Sequence, residues 1–119
     1  MSMESDLTAL LKALCPRVYP DFAPAGTLPP YITYQGLGGT PQRYADNTAA
    51  DKRHTHMQIS VWAVTRSEAL ALVRQVEDAL CAATVFTASQ ANEPFSSVDA
   101  DREPPLYGCM QDFDIWAPR

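Results

Sequence analysis

Two histidines separated by one residue, His54 and His56, are the side chains in this sequence best spaced to bind a metal ion. On an extended strand they share one face about 7 Å apart, a spacing at which two imidazoles can chelate a cation. No third ligand stands at a recognised spacing, although Asp46 and Asp51 are near in sequence. We interpret the histidines as a solvated pair at the start of a strand. The alternative is a small metal-binding protein or metal-dependent enzyme that uses His54, His56 and Asp51.

Two groups of carboxylates could serve acid–base or cation chemistry. Asp112 and Asp114 alternate on one segment, and a second group lies at residues 99–103. In sequence, neither group has a neighbouring His, Lys or Ser motif that would supply a mechanism. The glycines at 36–39 lack the lysine of a phosphate-binding loop, and no helix follows them. The sequence therefore predicts a protein that is not an enzyme and needs no cofactor.

Length and charge narrow the classes further. The chain has 119 residues, enough for one hydrophobic core, so residues 1–119 are expected to form a single domain. Its net charge of -5 and the lack of a basic cluster disfavour nucleic-acid binding but allow DNA to pass an acidic surface. Three unclustered cysteines predict a reducing compartment. With neither a secretion signal nor an apolar run of about 18 residues, we expect a soluble protein that is made in the cytoplasm and does not contact a membrane.

The elements that would position these side chains can be read from periodicity. An amphipathic helix is predicted near residues 5–14 and a second, with a capping box at Thr65, runs to about Ala83. Alternation predicts strands near 31–35, 54–64 and 106–117, with shorter pieces at 84–89 and 95–101. The expected fold class is α+β, an antiparallel sheet of four to five strands with two helices packed on one face, in the order α-β-β-α-β-β.

Residues 36–53 contain almost no side chain able to anchor a core. About 18 residues is long for a connection in a compact domain, so we predict a mobile loop with a binding or assembly role. The candidate contact residues in it are Gly36, Gly38, Gly39, Arg43, Tyr44 and Arg53.

Two tryptophans repeat one pattern, in "QISVWA" at 58–63 and "DFDIWA" at 112–117. If the intervening apolar residues face the helices, Trp62 and Trp116 face the other side of the sheet. Tryptophan is favoured in desolvated interface centres. We predict that Trp62, Trp116 and Tyr34 contact another subunit or a partner; the alternative is that loops of the same chain cover the indoles.

Several segments together resemble the tail completion proteins of long-tailed bacteriophages and prophages. They are the helix "ESDLTALLKAL", the segment "PAGTLPPYITYQ", the strand "ISVWA", the helix "SEALALVRQVEDAL" and the closing "DFDIWA", in that order along nearly the whole chain.

The resemblance implies a non-catalytic structural protein of the virion that joins the tail to the head. Such proteins commonly form a six-membered ring whose hole passes DNA without specific binding. The implied partners are further copies of the chain, the tail tube protein and the head connector or neck protein. A free-standing dimeric ligand-binding domain with no virion role is the remaining alternative.

Overall fold

A computed structural model of the chain describes residues 2–41, 43, 45–48 and 51–118. In these residues two α-helices and six β-strands follow one another as α1 (Met3–Lys12), β1 (Val18–Pro20), β2 (Tyr31–Gly36), β3 (Lys52–Ala63), α2 (Arg66–Ala82), β4 (Thr87–Gln90), β5 (Phe95–Asp99) and β6 (Leu106–Pro118). The strands form one sheet in the order β1-β2-β3-β6-β4, with β5 paired to the other half of β6. The fold class is α+β.

Each helix begins where the sequence offers a side-chain cap. The Ser2 hydroxyl accepts a hydrogen bond from the Ser5 backbone N–H at 3.1 Å, and the Thr65 hydroxyl accepts one from the Glu68 N–H at 3.2 Å. These bonds satisfy amide groups that have no partner within the helix. The N-cap predicted at Thr65 is confirmed, and α2 ends at Ala82, one residue before the expected end.

Both helices bury an apolar stripe against the same face of the sheet. The helical residues of this core are Leu7, Leu11, Ala69, Leu72, Val73, Val76 and Leu80. The sheet residues that meet them include Ile32, Ile59, Val61, Phe113 and Ile115, all completely buried. Burying one such large side chain stabilises the fold by about 1.5–3 kcal/mol relative to leaving it exposed. This layer fixes which face of β3 and β6 is left for other contacts.

The sheet is larger than predicted and mixed rather than antiparallel. β1, which is not among the strands predicted from the sequence, pairs in parallel with β2, so that Val18 lies opposite Ile32. The proline-rich context hid this strand, yet Pro20 is tolerated because β1 is an edge strand and proline needs no ladder partner there. The observed order is therefore α-β-β-β-α-β-β-β instead of α-β-β-α-β-β.

The connection between β2 and β3 is shorter than the predicted loop at 36–53. Gly36 closes β2 and β3 begins at Lys52, so only residues 37–51 separate the strands. Pairing also continues past β2, because the Leu37 N–H donates to the His56 carbonyl at 2.7 Å and the His56 N–H donates to the Gly38 carbonyl at 2.6 Å. Gly38 has a φ of 86°, a conformation that glycine adopts without strain.

β4 and β5 form one interrupted edge along β6. The chain takes five residue steps from Gln90 to Phe95, whereas β6 takes three between their partners. The two extra residues bulge outward at 91–94. Gln111, fully buried on the helix side, donates its side-chain N–H groups to the Asn92 carbonyl at 2.9 Å and to the Glu77 carboxylate at 3.0 Å. These bonds tie the bulge to α2.

The protein is elongated, with Cα extents of 55 × 25 × 25 Å. Within the part of the chain that the structure describes, no helix has the length and apolar character needed to cross a membrane.

Candidate functional site

The sheet face opposite the helices carries alternate residues of β3 and β6. In register, His54 lies opposite Trp116, His56 opposite Asp114, and Trp62 opposite Gly108. The residues that alternate with them along β3 and β6 are buried in the helix-side core. Because successive side chains of a strand point to opposite faces, these side chains lie on the face away from the helices. Both tryptophans therefore lie on the side of the sheet away from the helices.

A histidine–aspartate cluster occupies one end of this face. A single oxygen, Oδ1 of Asp114, accepts from His54 Nε2 at 2.8 Å and from His56 Nδ1 at 3.0 Å. Trp116 stacks on the His54 ring with 4.6 Å between centroids and 24° between planes. Asp112 lies beside the cluster, its Oδ2 3.8 Å from His56 Nε2. The strand pairing thus joins the two histidines to carboxylates that stand about 60 residues away in sequence.

The hydrogen bonds of His54 fix its tautomer and weaken the metal-site alternative. Its Nδ1 accepts from the Thr40 backbone N–H at 2.8 Å, so that nitrogen carries no proton and the neutral ring donates through Nε2 to Asp114. A histidine that binds a metal normally does so through an unprotonated nitrogen while its other N–H is donated. Here both nitrogens are already committed. No group of three or more His, Cys, Asp or Glu side chains that could hold a metal ion, with Asp51 or without it, occurs among the described residues.

The two histidines stabilise the ionised form of Asp114. The hydrogen bond from His56, and next that from His54, holds the pKa of the Asp114 carboxyl below its usual value, against an opposing effect of desolvation. The side chain is about a third exposed, so solvent screens part of this effect. At neutral pH the cluster is a carboxylate that accepts two N–H donors on one oxygen, which links β3 to β6 on this face.

The other end of the face is packed rather than open. Trp62 is half-buried and lies against Gly108, where a β-carbon would come within 2.8 Å of the indole. Tyr31 and Leu106 nearby are buried although neither belongs to the helix-side core. The Arg102 side chain donates to the Thr27 carbonyl at 3.3 Å, which ties the connection before β2 to the segment before β6. Both indoles are half-buried within the subunit, and their contact with another subunit or a partner stays a prediction.

The remaining predicted contact residues are distributed over the molecule. Tyr34 lies on the helix side, where its hydroxyl is 3.0 Å from that of Thr8 in α1. Arg53 lines a groove of about 210 Å³ at the N-terminus of α1. Arg43 donates to the Asn47 carbonyl at 3.2 Å. Tyr44 falls outside the described residues. Their roles in contacts stay predictions.

The glycines of "GLGG" have specific positions beside β3. Gly36 faces open space, and Gly38 takes the left-handed conformation described above. A β-carbon on Gly39 would collide with the His54 carbonyl oxygen and lie 3.0 Å from its carbonyl carbon. The backbone there approaches β3 so closely that only glycine fits, which lets Thr40 reach the His54 ring.

Sequence reasoning missed several residues that shape the face. Gly108 and Thr40 carry no chemical signal of their own, and their roles depend on the register of pairing. The most exposed large apolar side chains are also not the tryptophans but Phe22 at 76% and Leu28 at 69% exposure, both in the connection between β1 and β2.

Comparison with known proteins adds one result to this geometry. The family model described as tail completion protein gp17 matches residues 2–117, which spans both helices and most of β6. Among curated proteins, none matches the chain.

Proposed function

The chain belongs to the tail completion protein gp17 family, and from that premise we propose that it forms a ring that completes the phage tail and joins it to the head connector. As a member of this family it is a structural protein of the phage tail, and so belongs to the virion. The family match, which covers residues 2–117, carries the proposal.

The dimensions of the subunit support a ring around DNA. In a six-membered ring the distance between neighbouring centres equals the radius, so subunits 25 Å wide standing side by side leave a hole roughly 25 Å across. This matches the width of a DNA duplex when the 55 Å axis runs along the channel. The net charge of -5 also favours a ring past which phosphates slide without binding.

The predicted contact residues become part of this proposal. The exposed parts of Trp62 and Trp116, together with Arg43 and Arg53, are the surface that we assign to the tail tube and connector proteins. Indole and guanidinium groups are enriched where protein surfaces bury each other. In this proposal the segment at 36–53 also supplies subunit contacts.

Deleting the coding sequence from the phage genome tests the proposal. The lysate should then contain complete heads and separate tails with almost no infectious particles, and adding the purified protein should join them and restore plaques. Electron microscopy counts joined and separate particles, and plaque assays measure the recovery. A deletion lysate that is as infectious as the parent, with heads and tails joined, would rule out the role.

A further inference from the structure

The two long sides of the sheet end in backbone edges that carry almost no charge. On one side, residues 22–41 contain no Asp, Glu, Lys or Arg, although Arg17 and Asp21 flank β1. On the other side β4 has no charged residue, and the segment from its end to the end of β5 carries Glu93 and Asp99. Natural edge strands are usually protected by charged side chains, lysine above all, because unpaired backbone groups otherwise pair with another chain. The stretches around Gly36 and Gln90, residues 34–39 and 87–91, lack that protection.

On the first side, the open backbone groups belong to Gly36. β1 covers β2 only from Ile32 to Tyr34, and the Asp21 N–H caps the Tyr34 carbonyl at 2.8 Å. The Leu37 N–H points to β3, so by the alternation of an antiparallel ladder the N–H and C=O of Gly36 point away from β3. On the side of Gly36 that faces away from β3, the described residues place no strand beside it.

On the second side, the open groups belong to Gln90. The Ala91 N–H donates to the Asp112 carbonyl at 2.9 Å, so the same alternation turns the N–H and C=O of Gln90 away from β6. Gln90 is exposed, and the residues that the structure describes place no strand outside β4.

These two open positions lie at the ends of one row across the sheet. Gly36 pairs with Met57, Met57 with Phe113, and Phe113 with Gln90. β2, β3, β6 and β4 alternate in direction, so β4 of one copy set beside β2 of the next would again be antiparallel. If one copy is rotated about an axis parallel to the strands, the outward N–H and C=O of its Gln90 therefore come level with the outward C=O and N–H of Gly36 in the neighbouring copy.

We propose that the subunits of the ring pair edge to edge, with the Gly36 edge of one copy hydrogen-bonded to the Gln90 edge of a second copy. This inference rests on the proposed ring. The two edges differ, so the contact is heterologous, as a closed ring requires. Exposed apolar side chains flank both edges: Leu37 is 46% exposed, and on the other side Val85 is 51% and Phe95 is 43% exposed.

A disulfide tests the pairing directly. Cysteines replace Gly36 and Gln90, and the exposed Cys81 is changed to serine. Across a strand pair the two Cα atoms fall within the roughly 4.4–6.8 Å that a disulfide spans. Within one copy the two positions are three strand spacings, about 14 Å, apart and cannot be joined.

Under oxidising conditions a non-reducing gel should show a ladder of bands at multiples of 13.1 kDa, of which the largest is the covalently closed ring. Each single-cysteine variant should give no band above a dimer. A double variant that assembles like the parent but gives no ladder would overturn the edge pairing.

Proline provides an independent test. Gln90→Pro removes the outward N–H while leaving the bonds to β6, so the monomer should fold with an unchanged urea midpoint. Losing one hydrogen bond at each contact between copies should raise the concentration needed for ring assembly by about two- to tenfold. Gln90→Ala keeps the backbone donor and should assemble like the parent. Equal assembly of the proline and alanine variants would contradict the proposal.

The tests separate this inference from the proposed function. Rings that form on tails without a cysteine ladder refute the edge pairing and leave the joining role standing. Failure of the deletion phage to show a joining defect refutes the role itself, whatever the ladder shows.

Discussion

Replacing Gly108 by alanine should strain the packing of Trp62. The added β-carbon would lie 2.8 Å from the indole Cε3 and Cζ3 atoms and 3.1 Å from Cδ2, whereas carbon atoms pack best at about 3.5–4.0 Å. The indole must therefore move outward by roughly 0.7 Å or more. Overpacking of this kind costs about 1–3 kcal/mol, partly offset by about 0.4–1 kcal/mol from the stiffer unfolded chain.

Urea unfolding measures this cost. With an m-value of about 1–3 kcal/mol per molar urea, a net loss near 1.5 kcal/mol lowers the midpoint by about 0.5–1.5 M. Trp62 emission, recorded in a Trp116→Phe background, should shift to the red because the ring moves towards solvent. Gly36→Ala is the matched control: it too replaces a strand glycine, but no heavy atom lies within 4 Å of the position its β-carbon would take. Dilute protein should therefore unfold at or slightly above the parent midpoint.

The explanation of Gly108 fails if the alanine variant unfolds at the parent midpoint with unchanged Trp62 emission. That result would mean that the indole does not rest on the backbone at this position.

Three further predictions concern other parts of the fold. Asp114→Asn should lower the free energy of unfolding at neutral pH and make that free energy less dependent on acid. His56 and His54 depress the pKa of Asp114 in the folded protein. The stabilisation by the ionised Asp114 is therefore present above the unfolded pKa of about 3.9 and is lost as pH falls through the lower folded pKa. Urea midpoints from pH 7 to pH 3 should show the largest difference at pH 7, and parallel curves would contradict it. Gly39→Ala should cost about 1–3 kcal/mol, because its β-carbon meets the His54 carbonyl; a neutral result would show that the segment is free to move away. Thr65→Ala should cost about 1 kcal/mol through the lost helix cap, and Thr65→Ser should restore it; equal thermal midpoints for both variants would rule out the cap.

Much of the architecture follows from local signals in the sequence. The start of α2 was predictable because a threonine cap and a helical apolar stripe agree. The placement of Trp62 and Trp116 on one face followed from strict alternation around Ile59 and Phe113. Such periodicity depends only on neighbours in the chain, so it can be recognised without knowledge of the tertiary fold.

What could not be predicted depends on contacts between distant residues. β1 has three residues in a proline-rich segment, and its pairing with β2 gives no local pattern. The approach of His54 and His56 to Asp114 needs the register of β3 against β6, which no single strand encodes. The packing of Trp62 against Gly108 likewise depends on the register of β3 against β6.

The arrangement of copies at the tail end is the most direct test of the ring. Electron microscopy of tails that carry this protein should show six-fold density at the head-proximal end, around a hole roughly 25 Å across, as expected for subunits of this width. Density for a single copy, or a ring without an opening that admits a DNA duplex, would contradict the account.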